Sequence, residues 1–190
     1  MSIIFITGIK HSGKSVLSSH AAALCMKHAS TFRFDTDEII LDSFGNHATI
    51  RAIYQHEGKD RFMALEFEAL QRIVQSGEGR LAKNDKAIVL VATGGGICDN
   101  RNAIRFMHRE GKIVYLRQDE SVLYERIEKS GIPPFLQGGD PRSNFHRLFE
   151  QRDSAYSEMA DYVVQLIDLE SIEHNAALLF DTILHIVEET

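Results

Sequence analysis

The chain has 190 residues, 44% of them hydrophobic, enough for one good-sized core and little more. Its formal net charge of −6, from 27 acidic and 21 basic residues with no long basic run, argues against nonspecific attraction to nucleic acid or an anionic membrane. Cys25 and Cys98 stand far apart and outside any CxxC spacing, and the nine histidines show no metal-ligand spacing, so neither a disulfide framework nor a zinc site is expected.

No basic segment precedes the first apolar residues, and nowhere do about eighteen apolar residues run together. The expectation is a cytoplasmic, monomeric, single-domain protein with a small-molecule partner, no nucleic acid and no membrane.

In chain order, "IIFI" at 3–6 predicts a strand buried on both faces, ended by Thr7 and Gly8. Val16, Leu17, Ala21, Leu24 and Cys25 recur at helical spacing and predict a helix over 14–28. "TFRFDTD" reads as a strand ending near Asp35, and helices are expected at about 49–57 and 59–76, parted by Gly58. "KAIVLVATGGG", "GKIVYLRQ" at 112–117 and "DYVVQL" at 161–166 supply three more strands. Helical patterns lie at 100–110, 119–130, 143–160 and 172–188. Five strands alternating with helices predict an α/β fold with a parallel sheet covered on both faces. All three prolines, Pro133, Pro134 and Pro141, fall in the loop "GIPPFLQGGDPR", long enough to be functional.

"GIKHSGKS" at 8–15 matches GxxxxGK[ST] between a strand and a helix, the context the motif requires. Glycines let backbone N–H groups converge on phosphate oxygens, the helix N-terminus favours an anion, Lys14 adds positive charge, and Ser15 is a ligand for Mg²⁺. Gly8, Ile9, Lys10, His11, Ser12, Gly13, Lys14, Ser15 and Val16 form the candidate nucleotide site. An accidental glycine turn with a solvated lysine would match the same letters without the flanking elements.

The acid that usually assists the metal at the end of a neighbouring strand is missing, because "IVLVATGGG" presents Thr93 and glycines there. "FDTD" is the alternative source: in an extended chain Asp35 and Asp37 would point to one side about 7 Å apart. One would then face magnesium and the other an acceptor hydroxyl. The plainer reading has Asp37 cap a helix beginning at Glu38.

Taken together and in this order, the loop, "FDTD", "ATGGG", "GKIVYL" and "QRDSAY" resemble the shikimate kinase family, in the nucleoside-monophosphate-kinase branch of P-loop proteins. The resemblance implies a three-layer P-loop kinase fold, strand order 2-3-1-4-5, an acceptor-binding segment at 36–75 and a lid at 128–142. It implies transfer of the ATP γ-phosphoryl to a ring hydroxyl of shikimate, with Mg²⁺ as cofactor. Lys14 would hold the phosphates, Ser15 the metal, and Asp35 the metal through water. Asp37 would orient or deprotonate the acceptor hydroxyl. Gly94, Gly95 and Gly96 would admit the acceptor to the backbone, Arg126 would stack on adenine, and Arg152 would grip the shikimate carboxylate.

Two positions depart from the family pattern. Met63 stands where the family has the second carboxylate-clamp arginine, and Pro133-Pro134 stands where it has Arg-Pro in the lid. Arg61, about 200° around a helix from Met63, cannot replace it in place, whereas Lys59 lies one turn earlier on the same face. Arg142 is the candidate to serve the lid. The readings left open are a shikimate kinase with compensating basic residues, a same-fold kinase for another small hydroxylated acceptor, and a nucleotide-binding protein without phosphotransfer.

Overall fold

The computed structural model describes residues 2–45, 48–84, 86–133, 136–167 and 171–189. Five parallel strands, β1 (Ile3–Thr7), β2 (Thr31–Asp35), β3 (Ile88–Ala92), β4 (Lys112–Arg117) and β5 (Tyr162–Gln165), form one sheet in the order β2-β3-β1-β4-β5. Phe5 pairs with Val91 on one side and Ile113 on the other, so β1 lies at the centre and is buried throughout. Side chains alternate across a strand. Ile3 and Phe5 accordingly enter one apolar layer while Ile4 and Ile6 enter the opposite one.

Among the described residues eight α-helices connect and cover the strands. They are α1 (Lys14–Cys25), α2 (Thr36–Phe44), α3 (Ile50–Gln75), α4 (Gly77–Lys83), α5 (Arg101–Glu110), α6 (Glu120–Ser130), α7 (Pro141–Met159) and α8 (Ile172–Glu188). The layer beneath α1 and α8 contains Leu17, Ala21, Leu179 and Ile183. The larger layer takes Leu70 and Ile73 from α3, Met107 from α5, Leu123 from α6, and Phe145 and Tyr156 from α7. A third cluster, Ile40, Ile53, Phe62, Leu65 and Ala69, joins α2 to α3.

The expected α/β architecture and strand order are present, with local differences. Helix α1 stops at Cys25 rather than His28, and α7 begins at Pro141, capped by Asp140, so the connection after α6 is shorter than the prolines suggested. Pro134 lies outside the described residues. Helix α4 is an addition, capped by the Ser76 hydroxyl; its two glycines hide it from a propensity reading. Gly58, at φ 77 and ψ 171, breaks α3 where two helices were expected.

The helix after β2 begins at Thr36, not Glu38. Its cap is Asp35, whose Oδ1 accepts from the Asp37 N–H at 3.0 Å. Asp37 is therefore neither a cap nor part of an extended i, i+2 pair. It stands in the first helical turn, folded back over Asp35 by the capping bond.

Candidate active site

Gly8 and Thr93-Gly94 follow the carboxyl ends of β1 and β3 and Asp35 ends β2, all at the edge where doubly wound sheets bind ligands. The loop after β1 turns sharply. Gly8 has φ 154, His11 φ 71 and Gly13 φ 90, and His11 is the one non-glycine at positive φ among the described residues. Alternation of left- and right-handed residues turns successive N–H groups toward one concavity and makes an anion nest. A Cβ on Gly8 would stand 2.8 Å from the Leu116 carbonyl oxygen and 2.9 Å from Ser12 Oγ, so only glycine lets the loop lie against β4. The Ser12 hydroxyl is itself buried without a hydrogen-bond partner.

Lys14 folds back over this nest, its Nζ donating to the carbonyls of Gly8 at 2.8 Å and Ile9 at 3.2 Å. Burial lowers its pKa to about 8, against the pull of the Asp37 and Asp35 carboxylates. The same cause, helped by Lys10, Lys14 and Arg126, lowers His11. Arg126 Nη1 donates to the His11 carbonyl at 2.9 Å, tying α6 to the phosphate loop.

Ser15 Oγ donates to Asp35 Oδ2 at 2.6 Å, so the two expected metal-side groups meet. Arg33, which the sequence reading did not single out, donates to the same carboxylate oxygen at 3.2 Å and pairs with Glu38. Sequence spacing could have found Arg33, since it faces the same side of β2 as Asp35.

Asp37 Oδ1 is buried without a hydrogen-bond partner. Burial, and then the neighbouring Asp35 charge, push its pKa above the ordinary value. It faces the glycine turn: a Cβ on Gly94 would lie 3.1 Å from Asp37 Oδ1 and 3.0 Å from Glu66 Oε1. The Gly94 N–H donates to Thr36 Oγ1 at 3.1 Å, which fixes the turn to the start of α2. Gly95 packs on the backbone of Lys10, where a Cβ would come within 2.9 Å of the Lys10 nitrogen. Arg152 Nη2 lies 3.8 Å from the Cβ position of Gly96. Asp153, next along α7, accepts from Tyr115 Oη at 2.8 Å and pairs with Arg117, holding the helix against β4 and so directing Arg152.

The loop, Asp35, Asp37, the three glycines and Arg152 thus gather at the carboxyl edge of the sheet, around the space that the glycines leave open. Met63 is half-buried at its α3 side, whereas Lys59 is exposed and Arg61 pairs outward with Glu68 at 2.7 Å. The Arg142 guanidinium stacks 5.1 Å above the Tyr124 ring.

Glu66 and Asn100 were not anticipated. Glu66 is 2% exposed, and Asn100 Nδ2 donates both to its Oε2 at 3.3 Å and to the Met63 carbonyl at 2.8 Å. Phe62, Leu65, Ala69, Leu70 and Ile73 mark the buried stripe of α3, and Glu66 occupies a position within it. An acid inside an apolar helical stripe was the available signal.

The family model for shikimate kinase matches residues 11–184. The chain belongs to the shikimate kinase family. It is 36% identical over 135 residues to a shikimate kinase from Marinomonas sp. (strain MWYL1), covering 70% of this chain and 67% of that one. It is 30% identical over 161 residues to a shikimate kinase from Dechloromonas aromatica (strain RCB), covering 85% and 79%. Among solved structures, a shikimate kinase from Acinetobacter baumannii in complex with shikimate superposes with a TM-score of 0.77 at 25% identity, covering 97% of this chain and 94% of that one. The shikimate kinase family is one of phosphotransferases with an alcohol acceptor. No helix among the described residues is long and apolar enough to cross a membrane.

Proposed function

We propose that this chain, as one monomeric kinase domain, transfers the γ-phosphoryl group of ATP to the 3-hydroxyl of shikimate. The observation that carries the reading is Asp37 Oδ1, a buried carboxylate oxygen without a partner, facing the cleft that Gly94 leaves open beside the phosphate loop. A protein that only bound nucleotide would have no use for so costly a group.

Phosphoryl transfer needs in-line oxygens and cations for the equatorial charge, and no nucleophilic side chain. The loop N–H groups and Lys14 would hold the phosphates, and Arg126 would flank the adenine. Asp37 would orient the acceptor hydroxyl and accept its proton as the bond to phosphorus forms. Gly94, Gly95 and Gly96 would let the acceptor lie against the backbone, and Arg152 would pair with its carboxylate. Residues 128–142 would close over the reacting groups and exclude water.

Ser15 Oγ and Asp35 Oδ2, 2.6 Å apart, are hard oxygen donors suited to Mg²⁺. Among the described residues no cluster of three or more His, Cys, Asp or Glu stands ready to hold a metal. Mg²⁺ keeps several waters and takes other ligands from phosphate oxygens, so two protein oxygens are enough for it. Ser15 and Asp35 would hold the ion there, and it would supply positive charge against the negative charge of the phosphates.

The test is ADP release from Mg-ATP with shikimate and a panel of other small hydroxylated acids. Shikimate-dependent release is expected. Release with a different acceptor and none with shikimate would replace this reading with a same-fold kinase for that molecule, for which the uncharged Met63 would be a natural pocket wall.

A further inference from the structure

Among the described residues Glu66 is the one deeply buried acid beside the glycine turn to which phosphoryl transfer assigns no work. It lies one helical turn from Met63 on α3. Its Oε1 and Asp37 Oδ1 border the same space, 3.0 and 3.1 Å from the Cβ position that Gly94 leaves empty. Its other oxygen is held by the neutral amide of Asn100, and among the described residues Glu66 forms no ion pair. The groups acting on it from the surrounding elements are Asp37 of α2, Asp99 of the turn at 97–99, and Asn100, Arg152 and Tyr156; only Arg152 is a cation.

A carboxyl group so placed resists ionising. Burial pushes Glu66 up to about 7, with Asp37 and Asp99 acting in the same direction and Asn100 and Arg152 against it. Near neutrality it therefore has a proton to donate. An acceptor carboxylate gripped by Arg152 would find no second guanidinium at Met63, and an ionised Glu66 nearby would repel it in a low-dielectric cleft. Protonated, the same group removes the repulsion and offers an O–H donor to an anionic oxygen, a strong charge-assisted hydrogen bond.

We propose that Glu66 is a recognition residue for the anionic group of the acceptor: it donates a hydrogen bond as the neutral acid, and acceptor binding transfers a proton from solvent to its carboxylate. The inference rests on the shikimate reading, since it requires an acceptor that carries a carboxylate. Atoms and charge balance without a co-reactant. Asp37, the other raised acid, would accept a hydrogen bond from the reacting hydroxyl, which favours its ionised form, so acceptor binding would draw no proton onto it.

The sign follows from linkage. The acceptor favours protonated Glu66, so its pKa is higher in the complex than in the free protein. Below pH 7 Glu66 is already mostly protonated, and affinity is insensitive to pH. Above pH 7 the proton must be taken up, and the dissociation constant rises about tenfold per pH unit until the pKa of the complex is reached.

Calorimetric titration of the protein, saturated with Mg-ADP, with shikimate at pH 8 in buffers of different ionisation enthalpy counts the protons directly and needs no variant. Uptake approaching one proton is expected at pH 8, and little at pH 6. In parallel, the KM for shikimate should climb between pH 7 and 8.5 in the native chain and stay flat in Glu66→Gln, which keeps a donor and cannot ionise. Binding at pH 8 without proton uptake, or the same KM profile in Glu66→Gln, would overturn the inference and leave the acceptor reading standing. If shikimate neither bound nor released ADP at any pH while ADP still bound, the acceptor reading would fail and this inference with it.

Discussion

Lys14 finds its partners within the loop that carries it, donating to the Gly8 and Ile9 carbonyls, whereas Asp37 meets Glu66 from α3 and Gly94 from the turn after β3. The phosphate side of the cleft is built by a short run of backbone whose conformation the sequence itself imposes. Its acceptor side is assembled from α2, α3, the turn after β3 and α7, and it holds together only because those elements pack. The contrast bears on how each side of the site tolerates substitution. Changing Gly8 or Lys14 would disturb a self-contained nest, while Met63 and Glu66 belong to a wall that neighbouring side chains can reshape.

The comparison is broken most severely from the loop. Lys14→Ala removes the cation proposed to face the phosphates and the bonds that hold it against Gly8 and Ile9. Loss of turnover by three or more orders of magnitude is expected, together with loss of ADP affinity measured calorimetrically. Unchanged ADP binding in that variant would show that nucleotide is held elsewhere.

Asp37→Asn tests the acceptor side with a smaller loss. The turnover number should fall by two or more orders of magnitude while ADP affinity stays within a fewfold, because the amide orients a hydroxyl but accepts no proton. Stability should move the other way. An acid whose pKa is raised on folding stabilises most below its unfolded pKa, and this contribution is lost as pH rises through the folded value. Above the unfolded pKa the carboxyl group therefore opposes folding, and Asp37→Asn should raise Tm at pH 7. A drop in Tm with an intact rate would mark Asp37 as structural.

Met63→Arg sharpens the contrast, since it places a guanidinium one helical turn from Glu66. The KM for shikimate at pH 8 should fall about tenfold, the worth of one charge-assisted hydrogen bond at the lower end of its range. Its pH dependence should also flatten, because a paired Glu66 ionises readily. Steady-state kinetics at pH 7 and 8 read both effects.

The smallest effect returns to the loop. With its pKa lowered to about 8, Lys14 loses its charge in the free protein above that pH, and bound phosphates would restore it. ADP affinity should be level below pH 7.5 and weaken severalfold by pH 9, a slope absent from Lys14→Arg. A level profile to pH 9 would mean that Lys14 is charged throughout.

By itself the sequence determined the alternation of strands and helices, the phosphate loop, and the acids and glycines that end β2 and β3. Each of these is written in a few consecutive residues whose chemistry permits little else. A strand such as "IIFI" has no polar face to expose, and GxxxxGK[ST] after it has one well-formed backbone path. The geometry of "FDTD" was not legible in this way. An extended pair and a helix start are locally equivalent for those four residues, and the cap at Asp35 wins because α2 packs through Ile40 onto α3. Helix α4, with two glycines in seven residues, likewise exists through burial of Gly79 and Ala82 rather than propensity. Glu66 is the clearest case. Its place in an apolar stripe could be read in advance, but its character as a near-neutral acid could not. That character depends on the packing that removes water from around it, and on Asp37, Asp99, Asn100 and Arg152 arriving from three other segments.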